Sequence, residues 1–537
     1  MTRCIDIIFF LKGMIMFKPN QSLLKLCIVV ALLFMSAKAA VAAVENEDLY
    51  PQIEALKNQL TEQARQIETQ KVQIDKQQQQ LDQLKSQYKQ DGSQASGAEG
   101  LQRQFDYSKD PNGSVGPKYL DSIFDPKSEN EYFTPIDEMT PGFPLQNMKL
   151  EIGRWDDMNL LMGFQAVMRF QDLQNSDVYS QGVRQSGLEP GFQTPFGDLS
   201  FLARFDDRMD IYYDLYLASR PHEETTYGHE GFIIFHQMPG SLAENDLISG
   251  FFDVADVKVG AFDIDFGDSR YRRSNNARVQ YNPLVGNFVV DPETEEIGLE
   301  IYSKPTVLNW LVGLTSGTTT GHVDQDGGFG LHGKLWSEVA SDLRLALSVY
   351  RADHSRNGAG YPVGGDKSFL FSGSRSGGPY DGVMSGGDAP GQLLPSNGQD
   401  VLAVQGDVTW NCWPYEIYGN IGWTRDSDTN GSATGSPEES WNYLAAETVY
   451  HLTPSLYSAL RYSGAYAQKI NDRSSDGIVN RLQAGGGYWI ARTMLVKLEY
   501  VYQWYDKFSS AGGEVGSIDA WRDPSFNGVI LEASFSF

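Results

Sequence analysis

The sequence is short of thiols, of histidine, of basic charge and of long apolar runs. Cysteine occurs 3 times in 537 residues. With only Cys412 beyond the N-terminal region, an internal disulfide framework is excluded. After the N-terminus there is no run of about 18 apolar residues, so no helix is written to cross a bilayer. A transmembrane β-barrel escapes that exclusion, because only alternate residues of its strands face lipid. Lys and Arg number 43 against 69 Asp and Glu, a formal charge of −26, which argues against a nucleic-acid partner. The 7 histidines are scattered. No G-x-S-x-G, H-E-x-x-H or G-x-x-x-x-G-K-[ST] occurs, so no enzyme, cofactor or metal centre is expected. The stretch HEETTYGHE (222–230) gathers His222, Glu223, Glu224, His229 and Glu230 in what reads as an acidic surface loop.

What is present falls into four zones. Residues 1–42 read as a secretory signal: Lys18 and Lys25 precede the apolar LCIVVALLFM, and small residues around Ala39 and Ala42 suit cleavage. Removing it takes away five basic residues and one acidic one, leaving 38 against 68. Residues 43–90 read as a periplasmic coiled coil. Ile53, Leu60, Ile67, Ile74, Leu81 and Tyr88 recur every seven positions, with Leu56 and Leu84 three residues on from this register and Gln63, Gln70 and Gln77 between them. A lone solvated helix or a Gln-rich arm is the alternative. Residues 91–147 are a flexible linker, DGSQASGAEG, followed by irregular Pro-, Asp- and Gly-containing chain.

From about residue 161 the apolar period changes to two. Met494, Val496, Leu498, Tyr500, Tyr502 and Trp504 share one face and Lys497, Glu499 and Gln503 the other. Leu402, Val404, Val408 and Trp410 oppose Gln405, Asp407 and Thr409 in the same way. Apolar outside and charged inside is what a wall between lipid and water requires. Strands in lipid must close on themselves, because every backbone group there needs a partner. Sixteen candidate strands, from 161–170 to 528–537, are separated by connectors that nearly alternate short and long; 238–250 is long where a short turn is expected. The fold class is therefore all-β: a transmembrane antiparallel barrel of about 16 strands at 148–537, behind an α-helical coiled coil.

A barrel of this size leaves an aqueous lumen. The alternation points Arg169, Arg204, Lys258, Lys334, Arg344, Arg461, Arg481 and Lys497 into it, with Asp214, Glu300, Asp407, Glu416, Glu447 and Glu499. Salt bridging across the wall is the other use open to each. The long connector 264–295 carries RYRRSNNAR, with Arg270, Arg272, Arg273 and Arg278 beside Tyr271, Asn275, Asn276 and Tyr281. Three placements are open to it. It can fold inward, stay outside against lipopolysaccharide phosphates, or pair internally with Asp291, Glu293, Glu295 and Glu296.

The last strand, NGVILEASFSF, ends in Phe537 with Val529, Leu531, Ala533 and Phe535 on its own face. It resembles the terminal strand of Gram-negative outer-membrane proteins, whose final aromatic is read by the barrel-assembly machinery. Signal, heptad stalk, linker and Phe-terminated sixteen-strand barrel together resemble the phosphate-selective porin O/P superfamily, and within it the DcaP-like branch with an N-terminal coiled coil. No substrate motif matches residue by residue. The resemblance implies a homotrimer in the outer membrane, among lipopolysaccharide, passing small hydrophilic and anionic solutes. It also implies that the connector 264–295 narrows the pore, which would make Arg270, Tyr271, Arg272, Arg273 and Arg278 the anion-selecting residues. A siderophore porin, or an adhesive or structural protein whose stalk reaches peptidoglycan, are the alternatives.

Overall fold

The computed structural model describes residues 132–134, 136, 139 and most of 150–537, apart from segments of the connecting loops. The signal, the heptad seam from Ile53, Leu56, Leu60, Ile67 and Ile74 to Leu81 and Leu84, and most of the linker lie outside the described residues. So do Asn275 and Asn276.

The wall is a closed antiparallel barrel of 16 strands. They are β1 Met158–Ser176, β2 Phe196–Phe205, β3 Met209–Ala218, β4 Tyr227–Phe235, β5 Ala255–Asp263, β6 Glu295–Ser303, β7 Asn309–Thr315 and β8 Phe329–Ala340. There follow β9 Leu343–Asp353, β10 Asp400–Cys412, β11 Tyr415–Ser427, β12 Glu438–His451, β13 Leu456–Ile470, β14 Ile478–Ala491, β15 Met494–Asp506 and β16 Ser525–Ser536. Each pairs with its sequence neighbours, and β16 returns to β1 with Gln165 opposite Ser536 and Ser176 opposite Ser525. Just below that seam the short strand Leu150–Trp155 pairs with the start of β1. Closure leaves no edge, as lipid demands.

The period-two pattern sets the two faces. On β15, Leu498 and Tyr500 are exposed while Lys497, Glu499, Val501 and Gln503 are buried inside. Leu299, Val312, Leu331, Leu345, Leu347, Ile421, Leu460 and Leu531 are likewise exposed on the outer face, forming the apolar belt that lipid covers. One register shift corrects an expectation. Residues 227–230 belong to β4 rather than to a surface loop, and the β3–β4 ladder slips between Tyr213 and Leu215. Such a bulge sets two residues against one. Consecutive His229 and Glu230 are both buried: His229 is paired with Glu295 and lies 3.7 Å from Asp214, and Glu230 accepts the Asp263 N–H at 2.7 Å.

The long connector at 238–250 is also explained. It folds as a one-turn 3₁₀ helix, Gly240–Glu244, and a short helix α1, Asp246–Phe252, capped by Asn245. The connector therefore lies on the short-turn side without adding a strand.

The lumen is not simply wet. Phe262, Phe266, Val285, Val289, Trp336, Tyr350, Trp441, Tyr443, Tyr505 and Phe526 join one buried apolar cluster. Leu370, Phe371, Tyr380, Val383, Met384 and Leu393, from the long loop 354–399, join it too.

Candidate functional site: the barrel lumen

The described residues of the loop between β5 and β6, 264–274, 278–292 and 294, lie inside the barrel. Its first limb is tied to β8 and β9. Lys334 lies 2.7 Å from Asp265 and 2.8 Å from Asp268, and Arg344 lies 3.0 Å from Asp268. Between those two acids Gly267 adopts φ +70°, with the Gln405 side chain where a Cβ would be. Only glycine meets both demands without strain.

The loop then crosses to the opposite wall, where basic side chains bind its carbonyls. Lys497 on β15 donates to the carbonyls of Val279, Asn282 and Leu284 at 2.9, 3.1 and 3.0 Å. Arg461 on β13 reaches the carbonyl of Gly286 at 2.5 Å and Asn282 Oδ1 at 2.6 Å. Arg481 on β14 donates to the Asn287 carbonyl at 2.8 Å, and Arg169 on β1 to that of Ser274 at 2.5 Å. Glu499 on β15 accepts the N–H groups of Val285 and Gly286 at 2.7 and 3.0 Å. A loop inside a barrel carries backbone groups that no ladder satisfies, and wall charges supply the missing partners.

Each loop arginine lies against a carboxylate. Arg272 contacts Glu447 on β12 at 2.6 Å and Glu416 on β11 at 3.3 Å. Arg273 meets Asp291 at 2.9 Å and Arg278 meets Asp263 at 2.7 Å. Arg270 lies 3.7 Å from Asp263 and 3.6 Å from Asp265. Tyr271 is buried, with Lys334 5.3 Å above its ring. So the placements open to RYRRSNNAR combine: its described residues, 270–274 and 278, are inside, and part of their charge is answered within the loop, at Asp265 and Asp291. Glu295 and Glu296 are used elsewhere, by His229 and by Thr315 with Tyr350.

The wall charges divide by role. Arg169, Lys334, Arg344, Arg461, Arg481 and Lys497 hold the loop, and Glu447 joins Arg461 to Arg272. Asp407 accepts from Gln405 and Tyr418, both at 2.7 Å. Lys258 pairs with Glu300, which also meets His332 at 2.8 Å. Arg204 stands apart. It is half-exposed at the short-turn end of β2, 3.6 Å from Asp210.

Sequence reasoning missed the second inward loop. Tyr380 packs 5.5 Å from Phe526 and bonds to Glu499 and Gln483. Asp381 and Val383 carbonyls accept from Gln171 and Asn175 on β1. The signal was available in inward-parity aromatics, Trp441, Tyr443, Tyr505 and Phe526, which leave an apolar site for a loop to fill.

Taken together, a lipid-facing belt, a closed antiparallel wall and a charged interior define a transmembrane β-barrel of the outer-membrane type, with a bore narrowed by its own loops. No family model matches the chain, and no curated protein sequence does. In fold it is similar to the outer membrane channel DcaP of Acinetobacter baumannii, with 11% identity over 72% of this chain and 100% of that one, TM-score 0.46. It is also similar to an anion-selective porin from Comamonas acidovorans, with 9% identity over 71% and 100%, TM-score 0.45. A third likeness is to OmpF of Salmonella typhi, with 12% identity over 72% and 100%, TM-score 0.44.

Proposed function

We propose that the chain is an outer-membrane channel for passive diffusion of small hydrophilic solutes. The observation that carries this reading is the loop 264–294 held across a polar lumen by Lys497, Arg461, Arg481 and Arg169. A structural barrel has no need of a pinned internal loop; a channel uses one to set the width of its bore.

The finer reading is a preference for anions. Guanidinium groups suit carboxylate and phosphate oxygens. The four loop arginines supply such groups, but each already faces a carboxylate. The preference is therefore weak, and it rests on the loop guanidinium groups, not on the buried charge as a whole, in which carboxylates outnumber basic groups. The same reading takes the chain as a homotrimer joined by its heptad seam, surrounded by lipopolysaccharide. It takes Phe537 as the signal to the barrel-assembly machinery and peptidoglycan as within reach of the stalk.

Planar-bilayer conductance with reversal potentials in a salt gradient tests both levels. A conducting protein with a small anion preference, lost in Arg272→Gln/Arg273→Gln, is expected. Folded barrel without conductance would overturn the channel, and a cation preference unchanged in that variant would overturn the role of the arginines.

A further inference from the structure

The inner face of β8–β11 keeps one row of residues in contact with the lumen. Trp336 lies opposite Ala346, Ala346 opposite Asp407, and Asp407 opposite Asn420. All four share the buried, inward parity of their strands. Ala346, Asp407 and Asn420 retain 8, 6 and 8% of their surface. The rows flanking them are closed. Ser348 and Gln405 on one side retain 1 and 0%, and Arg344, Thr409 and Tyr418 on the other retain 0% each. Lumen water therefore meets this arc of the wall along a single row.

Hydrogen-bonding atoms without a partner among the described residues gather at the same row. They are Trp336 Nε1 and Arg344 Nη1, which donate, Asp407 Oδ2 and Asn420 Oδ1, which accept, and Thr409 Oγ1, which does both. Thr409 stands opposite Arg344, one step along from Asp407 on the same face. A chain of bonds fixes which atoms stay open. The Tyr443 hydroxyl donates to Gln405 at 2.9 Å, and Gln405 donates to Asp407 Oδ1 at 2.7 Å. The Tyr418 hydroxyl donates to that same oxygen at 2.7 Å and accepts from Asn420 Nδ2 at 3.1 Å. Arg344 is held by Asp268 through Nε at 3.0 Å and Nη2 at 3.4 Å, and its guanidinium lies 5.3 Å from the Trp336 ring. Every inner bond is thus spent on orientation, and five oriented atoms remain. Unpaired polar atoms are costly inside a protein, so what passes through the lumen is the natural source of their partners.

Resting on the channel reading, but not on its anion preference, we infer that this row is a subsite for uncharged polyhydroxylated solutes, the polyols and small sugars. A hydroxyl group both donates and accepts, so one such group serves a donor and an acceptor of the row at once. Solutes of a single charge sign fit less well. An anion meets the Asp407 carboxylate, and a cation meets the Arg344 guanidinium. The charge of Arg344 is already answered by Asp268, which leaves a single N–H for recognition rather than a spare charge. Three of the five open atoms belong to the neutral side chains of Trp336, Thr409 and Asn420. Ala346, between Trp336 and Asp407, gives the row its width. A polyol that enters replaces the bonds of the water it displaces, which is the condition for a solute to gain affinity at a wet surface.

The test uses the full chain in planar bilayers, with folding of each form checked by heat-modifiable gel mobility. Xylitol and glucose are the probes, and glycine at equal osmolality is the zwitterionic control. In the wild type, xylitol and glucose should lower the open-channel current along a saturating curve, and glycine should only follow viscosity. Thr409→Val and Asn420→Leu should each raise the half-saturating xylitol concentration by about two- to tenfold, the weight of one net hydrogen bond. Arg204→Gln, at the short-turn end of β2, should leave it unchanged. A current that falls with viscosity alone, equally in all forms, would overturn the subsite and leave the channel standing, with the row holding water only. Saturation by glycine and not by xylitol would overturn the uncharged class. Folded protein without conductance in any form would overturn the channel reading itself.

Discussion

Phe537 and Phe164 exchange two main-chain hydrogen bonds, at 2.9 and 3.0 Å, and their rings lie 5.9 Å apart. The last residue of the chain thus completes the seam that the first barrel strand opens. Phe164 stands between the rungs of Leu150–Trp155 below and β16 above, both on the same side of β1.

Deleting Phe537 should therefore weaken closure, whereas Phe537→Ala keeps both hydrogen bonds and loses only the ring contact. Two net hydrogen bonds correspond to about 1–3 kcal/mol. Urea unfolding in lipid vesicles, followed by tryptophan fluorescence, should rank wild type above Phe537→Ala and both above the deletion. Equal stability of the two variants would show that the seam does not depend on this pairing.

Arg272 joins two wall carboxylates that are both fully buried. Replacing it by Met takes one cation from Glu416 and Glu447, which keep His451 and Arg461, so the expected loss lies below the about 3–5 kcal/mol of a buried charge left with no partner. Arg272→Lys keeps the charge and loses the planar fork, so it should cost less. The same unfolding assay checks the order.

Lys497 holds three loop carbonyls together with Glu532, the last at 2.6 Å. In Lys497→Met the loop 279–284 loses its strongest donor. The expected loss is about 1.5–3 kcal/mol, typical of a charged hydrogen-bonding group. Open-channel current noise should rise, because the released loop fluctuates in the bore. Unchanged noise with lowered stability would mean that the loop stays pinned by Arg461 and Arg481.

His236, just past β4 on the short-turn side, gains its proton more readily than a free imidazole. Hydrogen bonding to Asp210, and then to Asp256, raises it to about 9. Its folded value lies above the unfolded value of about 6.5. The stabilisation is therefore fully present below about pH 6.5 and is lost as pH rises through 9. His236→Gln should flatten the decline in stability between those limits. A wild-type profile that is flat there would sink the assignment.

Much of the wall was legible because a membrane strand obeys a strict rule. Lipid on one side and charge on the other impose period two, so Lys497, Glu499 and Gln503 could be set opposite Leu498, Tyr500 and Tyr502 from order alone. The sixteen period-two runs gave the strand count, and the near-alternation of short and long connectors agreed with it. The β3–β4 bulge broke the rule locally, and His229 with Glu230 was misplaced there because a one-residue slip leaves no mark in composition.

Sequence by itself therefore determined the closed wall, its two faces and the presence of a long charged loop after β5. Only the tertiary structure decided what that charge does. Period and composition carry no information about which of several carboxylates a guanidinium will meet, because that depends on positions brought together from distant strands. Arg272 beside Glu447 and Lys497 beneath the carbonyls of 279–284 are both contacts of this kind, and they exist only once the cylinder has closed.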